Sequence, residues 1–178
     1  MSDLDQIRDE MVQFWGQMAP YWAISPAAAR LHAYLLTRDD AVDTDTIMDA
    51  LGMSRGAVSM GCRELREWGL VLQEKPGGSR RLLYRAESDW ETAIRAIAEN
   101  RRRREWGPLE RRTDEWAARL KGDRTADGKV LRDRLLGMQA LVGAANEAAD
   151  ALLSGKTAKG IGMRFLLSRV MKRQGRRR

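Results

Sequence analysis

The chain has 178 residues, 43% of them hydrophobic, and its 32 Lys and Arg against 25 Asp and Glu give a net charge of +7. This length and apolar content suit a compact domain with a helical extension and argue against wholesale disorder. One cysteine and one histidine exclude a disulfide framework and a multi-histidine metal cluster. Because we find no nucleophile–base pair, phosphate-binding glycine loop or metal-ligand spacing, we expect no enzyme and no cofactor.

The excess positive charge lies at the C-terminal end. Residues 156–178 hold nine basic and no acidic side chains, whereas residues 1–155 carry a net charge of −2. The basic composition therefore does not by itself indicate nucleic acid binding, and DNA binding has to be inferred from local motifs. Since no apolar stretch approaches 18 residues and the N-terminus is acidic, we expect no membrane partner, no signal peptide and a cytoplasmic location.

Helical patterns dominate the N-terminal region. Asp3 is predicted to cap a helix that runs to about Met18, with Pro20 just beyond its end. Ser25, followed by a proline, predicts the start of a second helix that reaches about Thr37.

The next segment is predicted to form two helices joined by a glycine turn. Asp43 or Thr44 caps a short helix that Gly52 closes, and Ser54 caps a second helix over about 55–68.

A β-hairpin is predicted to follow. The strand-like runs 70–75 and 82–86 flank a turn that contains Gly77 and Gly78. Arg80 and Arg81 fall at its tip, where arginine suits insertion into a minor groove or contact with phosphates.

Helical patterns resume after the hairpin. Ser88 is predicted to cap a helix to about Arg104, and further helices are predicted over about 108–120 and 129–153. The last amphipathic stretch, 161–172, has three interpretations: a dimer-interface helix, a DNA-contacting arm and a membrane-surface helix. Its apolar face favours the first, and the terminal arginines 176–178 favour the second.

The order helix, helix, short helix, turn, helix, hairpin is typical of a winged helix-turn-helix, which binds DNA. At 100° per residue, Val58, Cys62 and Leu65 share the inward side of the helix over 55–68. A small polar face lies opposite; Arg63 on it suits a bidentate contact with guanine, and the helix start suits phosphates. The predicted DNA-binding residues are Ser54, Arg55, Gly56, Ser59, Met60, Arg63, Arg80 and Arg81.

The runs 51–60 and 63–71, with the segment 104–109 and the region of Trp90, resemble the GbsR branch of the MarR-type transcriptional regulators over roughly residues 10–120. The resemblance implies a homodimeric winged-helix regulator whose N- and C-terminal helices form the dimer interface. Some members of that branch respond to choline or related osmolytes, which makes a small-molecule effector such as a quaternary ammonium osmolyte a candidate partner.

The sequence departs from that branch at two positions. Ser79 stands where an aspartate usually precedes the wing arginine, and Cys62 stands where leucine is usual. We interpret Cys62 as a small core hydrophobe rather than a redox switch, and His32 as a partly exposed structural histidine.

Three aromatic residues near the end of the first helix are candidates for an effector site: Trp15, Tyr21 and Trp22. Aromatic cages bind quaternary ammonium ligands by cation–π attraction. Packing in the core or in a dimer is the alternative, and it is favoured.

The sequence thus predicts a mainly α fold with a small β-hairpin wing and a C-terminal helical dimerisation extension. We expect an N-terminal dimerisation and effector helix (1–24), a DNA-binding domain (25–87), a helical dimerisation region (88–155) and a basic tail (156–178). The expected function is that of a homodimeric regulator of transcription that binds double-stranded DNA. The alternative is a winged-helix protein-interaction module that does not bind DNA, which the acidic N-terminal third leaves open.

Overall fold

The computed structural model describes residues 2–77 and 81–154. It consists of helices with one small sheet, and it divides into two compact units, Met1–Ile97 and Ala98–Arg178. In these described ranges, no helix is both long enough and apolar enough to span a bilayer.

The N-terminal unit follows the predicted order, with one additional strand. Its elements are α1 (Asp3–Trp22), α2 (Pro26–Leu36), β1 (Val42–Asp43), α3 (Thr44–Leu51), α4 (Arg55–Glu67), β2 (Val71–Glu74), β3 (Leu83–Ala86) and the greater part of α5 (Trp90–Arg101).

Local capping explains where most of these helices begin and end. The side chains of Ser25, Asp43 and Ser54 each accept a hydrogen bond from the backbone N–H three residues further on. Gly52 and Gly69 have φ angles of 62° and 71°, which glycine adopts without steric penalty, and they end α3 and α4. The predicted bounds of α2, α3 and α4 are therefore confirmed to within a residue or two.

The first helix differs from the prediction at both ends. Ser2 is its N-cap, not Asp3, because the Ser2 hydroxyl accepts a hydrogen bond from the N–H of Asp5. Pro20 lies inside the helix rather than after it. A proline so near the end removes only the hydrogen bond of its own nitrogen, and Ala23, with φ 57°, then closes the helix.

The sheet forms the predicted hairpin and adds a strand that was not predicted. Its antiparallel order is β1-β3-β2, with Val71 opposite Ala86 and Val42 opposite Tyr84. Strand β1 has only two residues, which are too few to show the repeated apolar–polar alternation by which a strand is recognised in a sequence. With β1 before α3 and the hairpin after α4, the fold class is confirmed as a mainly helical winged helix-turn-helix.

One hydrophobic core holds the N-terminal unit together. It joins the inward faces of α2, α3 and α4 to the sheet. Its largest fully buried apolar side chains are Leu31, Leu35, Ile47, Val58 and Leu65.

Around its start, α5 differs slightly from the prediction. The carboxylate of Asp89, not the side chain of Ser88, accepts hydrogen bonds from the Glu91 N–H and the Thr92 hydroxyl. The break predicted after Arg104 is also absent. Residues Arg102–Trp106 form a π-helical turn that leads directly into α6.

The C-terminal unit contains the π-helical turn, α6 (Gly107–Arg119) and α7 (Ala126–Ser154). Polar side chains join the two helices: Gln139 Nε2 donates to Asp114 Oδ1 at 2.6 Å, and Asn146 Nδ2 donates to Glu110 Oε2 at 3.0 Å. The predicted helix 161–172 and the basic tail lie outside the described residues.

Candidate nucleic-acid interface

Helix α4 has one side in the core, as predicted. Val58, Cys62 and Leu65 are at most 1% exposed. Burial raises the pKa of the Cys62 thiol to about 12, so the thiol stays protonated at neutral pH. This environment supports the interpretation of Cys62 as a core hydrophobe.

The opposite side of α4 is open. Gly56, Ser59, Met60 and Arg63 are all exposed, and Met60 reaches 74%. Ser54 and Arg55 are exposed at the start of the same helix. The structure therefore places six of the eight predicted DNA-binding residues on one continuous surface.

Contacts with the start of α2 hold α4 in place. A Cβ added to Gly61 would lie 3.4 Å from the Cα of Ala28, so the two helices are in close contact there. One turn further along, Glu64 Oε1 accepts a hydrogen bond from the Ser25 N–H at 2.9 Å, and Glu64 Oε2 accepts one from the Ser25 hydroxyl at 2.6 Å. The sequence does not predict this contact, because the N-cap of α2 already explains Ser25.

One arginine on this surface and one on the wing are paired with acidic residues. Arg55 forms an ion pair with Asp45 of α3, and Arg85 pairs with Glu74 at 2.7 Å across the two wing strands. Within residues 2–77 and 81–154, Arg63 forms no hydrogen bond or ion pair. Its guanidinium therefore has its donors available for a base edge.

The wing is described only in part. Arg81 is exposed two residues before β3 begins. The N–H of Thr46 lowers the pKa of the nearby Asp43 carboxyl, and the positive charge of Arg81 adds to this effect. Arg80 lies outside the described residues, so its predicted DNA contact remains a prediction.

The aromatic residues proposed for an effector site have different environments. Trp15 and Trp22 pack edge to face with ring centroids 5.5 Å apart, and Trp15 also packs against the core. Tyr21 is 78% exposed. Packing thus accounts for Trp15, and the effector role of the three residues remains a prediction.

The predicted environment of His32 is wrong. It is only 8% exposed, not partly exposed, because α2 is buried on nearly all sides between Ala28 and Leu35. Burial lowers its pKa to about 4, so the imidazole is neutral at neutral pH.

In the described ranges, no group of three or more His, Cys, Asp or Glu side chains is placed to hold a metal ion.

The chain resembles a protein of known structure. This chain is similar to the crystal structure of a transcriptional regulator, with 26% sequence identity and a TM-score of 0.66. The alignment covers 82% of this chain and 95% of that one. No family model and no curated protein matches the chain.

Proposed function

We propose that this chain is a sequence-specific DNA-binding regulator of transcription. The observation that carries the proposal is the open face of α4, where Gly56, Ser59, Met60 and Arg63 are exposed on a helix fixed to the core, and where Arg63 has no ion-pair partner among the described residues. A recognition helix needs such a face, because bulky side chains would keep it out of the major groove. The similarity to a transcriptional regulator supports the same function.

In this proposal, the four arginines and Ser54 make different contacts with DNA. Arg63 contacts a guanine edge, while Ser54 and Arg55 contact phosphates at the start of α4. Arg80 and Arg81 at the wing tip contact phosphates or the adjacent minor groove. The residues thus divide into those that select sequence and those that supply affinity.

We further propose that the protein is a homodimer of the GbsR branch of MarR-type regulators. Exposed apolar side chains on α1 (Leu4, Ile7 and Phe14) and on α7 (Val130, Leu131 and Leu141) support dimerisation, since a second copy would bury them. A two-fold dimer would bind a pseudo-palindromic operator with half-sites about 10 bp apart.

The regulator would act in the cytoplasm, without an enzymatic activity, in response to a small effector such as a quaternary ammonium osmolyte. The proposed contacts of this effector are Trp15, Tyr21 and Trp22. An effector can regulate only if it binds the DNA-competent and DNA-incompetent states with different affinity.

Selection of bound duplexes from fragmented genomic DNA, followed by mobility shifts, tests the proposal. We expect a shared inverted repeat, and we expect Arg63→Ala to weaken operator binding by about 1–3 kcal/mol and to relax sequence preference. Arg81→Ala should weaken binding to all duplexes evenly.

A version truncated after residue 155 excludes non-specific binding by the basic tail. If the truncated protein shows no salt-dependent binding to any duplex, the protein is instead the winged-helix interaction module that was considered as the alternative.

A further inference from the structure

Met60 is an exception to the apolar pattern of α4. The other large aliphatic side chains of this helix, Val58 and Leu65, are completely buried, whereas Met60 is 74% exposed. It occupies the second turn of the helix, on the open face and three residues before Arg63. An exposed thioether at the centre of a polar face has no role in the core of its own unit.

The surface beside Met60 is apolar as well. A groove of about 400 Å³ runs between the start of α2 and α4, with Ala27 and Ala57 in its lining next to Met60. The charged residues Arg63, Glu64 and Glu67 also line the groove. The carboxylate of Glu64 accepts the two hydrogen bonds from Ser25. Methyl and methylene groups therefore make up much of the surface on this side of Met60.

The position of Met60 relative to Arg63 is well defined. Both project from a helix that Gly61 and Glu64 hold against α2. Three residues of helix advance about 4.5 Å, and successive bases of a strand are about 3.4 Å apart. If α4 lies along the major groove as a recognition helix does, this spacing places Met60 about one base step from the base pair that Arg63 contacts.

We propose that Met60 recognises the C5-methyl group of a thymine in the major groove, next to the base pair that Arg63 contacts. This inference rests on the proposed DNA-binding function. A thioether has no hydrogen-bond donor and is only a weak acceptor, and thymine alone among the four bases presents a methyl group in that groove. Methionine is flexible and polarisable, so it adapts to such a small apolar target.

Replacing thymine by deoxyuridine tests the inference, because it removes only the methyl group and leaves base pairing intact. The operator recovered by the selection above is prepared with one such replacement at a time, symmetrically in both half-sites. The full-length protein and its Met60→Ala and Met60→Leu variants are titrated against every duplex. Thermal unfolding serves as the control that the variants remain folded.

We expect that each half-site contains one thymine whose replacement weakens wild-type binding. The affinity should fall about fourfold per half-site, because this is the affinity change that corresponds to the burial of one methyl group. Met60→Ala should bind the thymine and deoxyuridine duplexes equally well, and Met60→Leu should keep the preference for thymine. The other thymines act as internal controls.

The inference is overturned if no replacement weakens wild-type binding, or if Met60→Ala responds to every replacement as the wild type does. These results would leave the regulator assignment intact. Failure to recover any operator would instead overturn the proposed function itself, and the inference with it.

Discussion

Glu64 of α4 accepts two hydrogen bonds from Ser25, 39 positions earlier in the chain, through the backbone N–H at 2.9 Å and the hydroxyl at 2.6 Å. Ser25 is also the N-cap of α2, whose hydroxyl accepts a hydrogen bond from the Ala28 N–H. The carboxylate thus lies at the positive end of the α2 dipole, where a negative charge is stabilised. This contact fixes the start of α2 to the proposed recognition helix.

Loss of this contact should reduce both stability and operator affinity. Glu64→Ala is expected to lower the free energy of unfolding by about 2 kcal/mol, since hydrogen bonds to charged groups contribute about 1.5–3 kcal/mol. A double-mutant cycle with Ser25→Ala, measured by urea denaturation, isolates the bond between the two side chains. Glu147→Ala, an exposed carboxylate in α7, is the control. A coupling energy near zero would contradict this prediction.

Asp45 should weaken DNA binding, because its ion pair with Arg55 competes with phosphate for the same guanidinium. We expect Asp45→Asn to strengthen binding to any duplex and to steepen the slope of log K against log salt by about 0.9, the value for one more phosphate contact. The free energy of unfolding of the Asp45→Asn variant should differ from that of the wild type by less than about 1 kcal/mol, because the ion pair is exposed.

Asp49→Asn is the matched control for this experiment, since Asp49 is an exposed acid on the same helix. It changes the net charge by the same amount without releasing Arg55. Equal slopes for the two variants would show that Arg55 makes no additional phosphate contact.

Two glycines with similar backbone angles should differ in their tolerance of alanine. A Cβ at Gly52 would meet nothing within 4 Å, whereas at Gly69 it would lie 2.6 Å from the Cβ of Ala96. Gly52→Ala should therefore cost only the strain of a positive φ, about 1 kcal/mol. Gly69→Ala should cost clearly more, because α5 has to move as well; equal melting temperatures for the two variants would refute this.

His32 should make stability depend on pH in mildly acidic solution. Its pKa falls from the ordinary 6.5 to about 4 on folding, so the unfolded chain binds the proton more readily between these values. The contribution of neutral His32 to the free energy of unfolding is fully present above pH 6.5 and is lost as the pH falls toward 4. The free energy of unfolding changes over this range by at most about 1.4 kcal/mol per pH unit.

Urea denaturation at a series of pH values, for the wild type and for His32→Gln, measures this contribution. The difference between the two pH profiles should lie in the window from 6.5 to 4. Parallel profiles across that window would show that the imidazole is as easily protonated in the folded protein as in the unfolded chain.

Much of the fold follows from local chemistry that is readable in the sequence. The caps at Ser25 and Ser54 and the glycine ends at Gly52 and Gly69 depend on residues within a few positions of each other. The 3.6-residue period likewise determined which side of α4 enters the core and which side carries Arg63. These features require no knowledge of distant contacts.

Other features were decided only by the tertiary structure. Strand β1 exists because β3 lies beside it, and His32 is buried because the other elements of the core cover α2. The bonds from Ser25 to Glu64 join residues 39 positions apart, and the ion pair of Arg55 with Asp45 joins two different helices. A single side chain carries no information about such a partner until the chain has folded, since packing brings the two together.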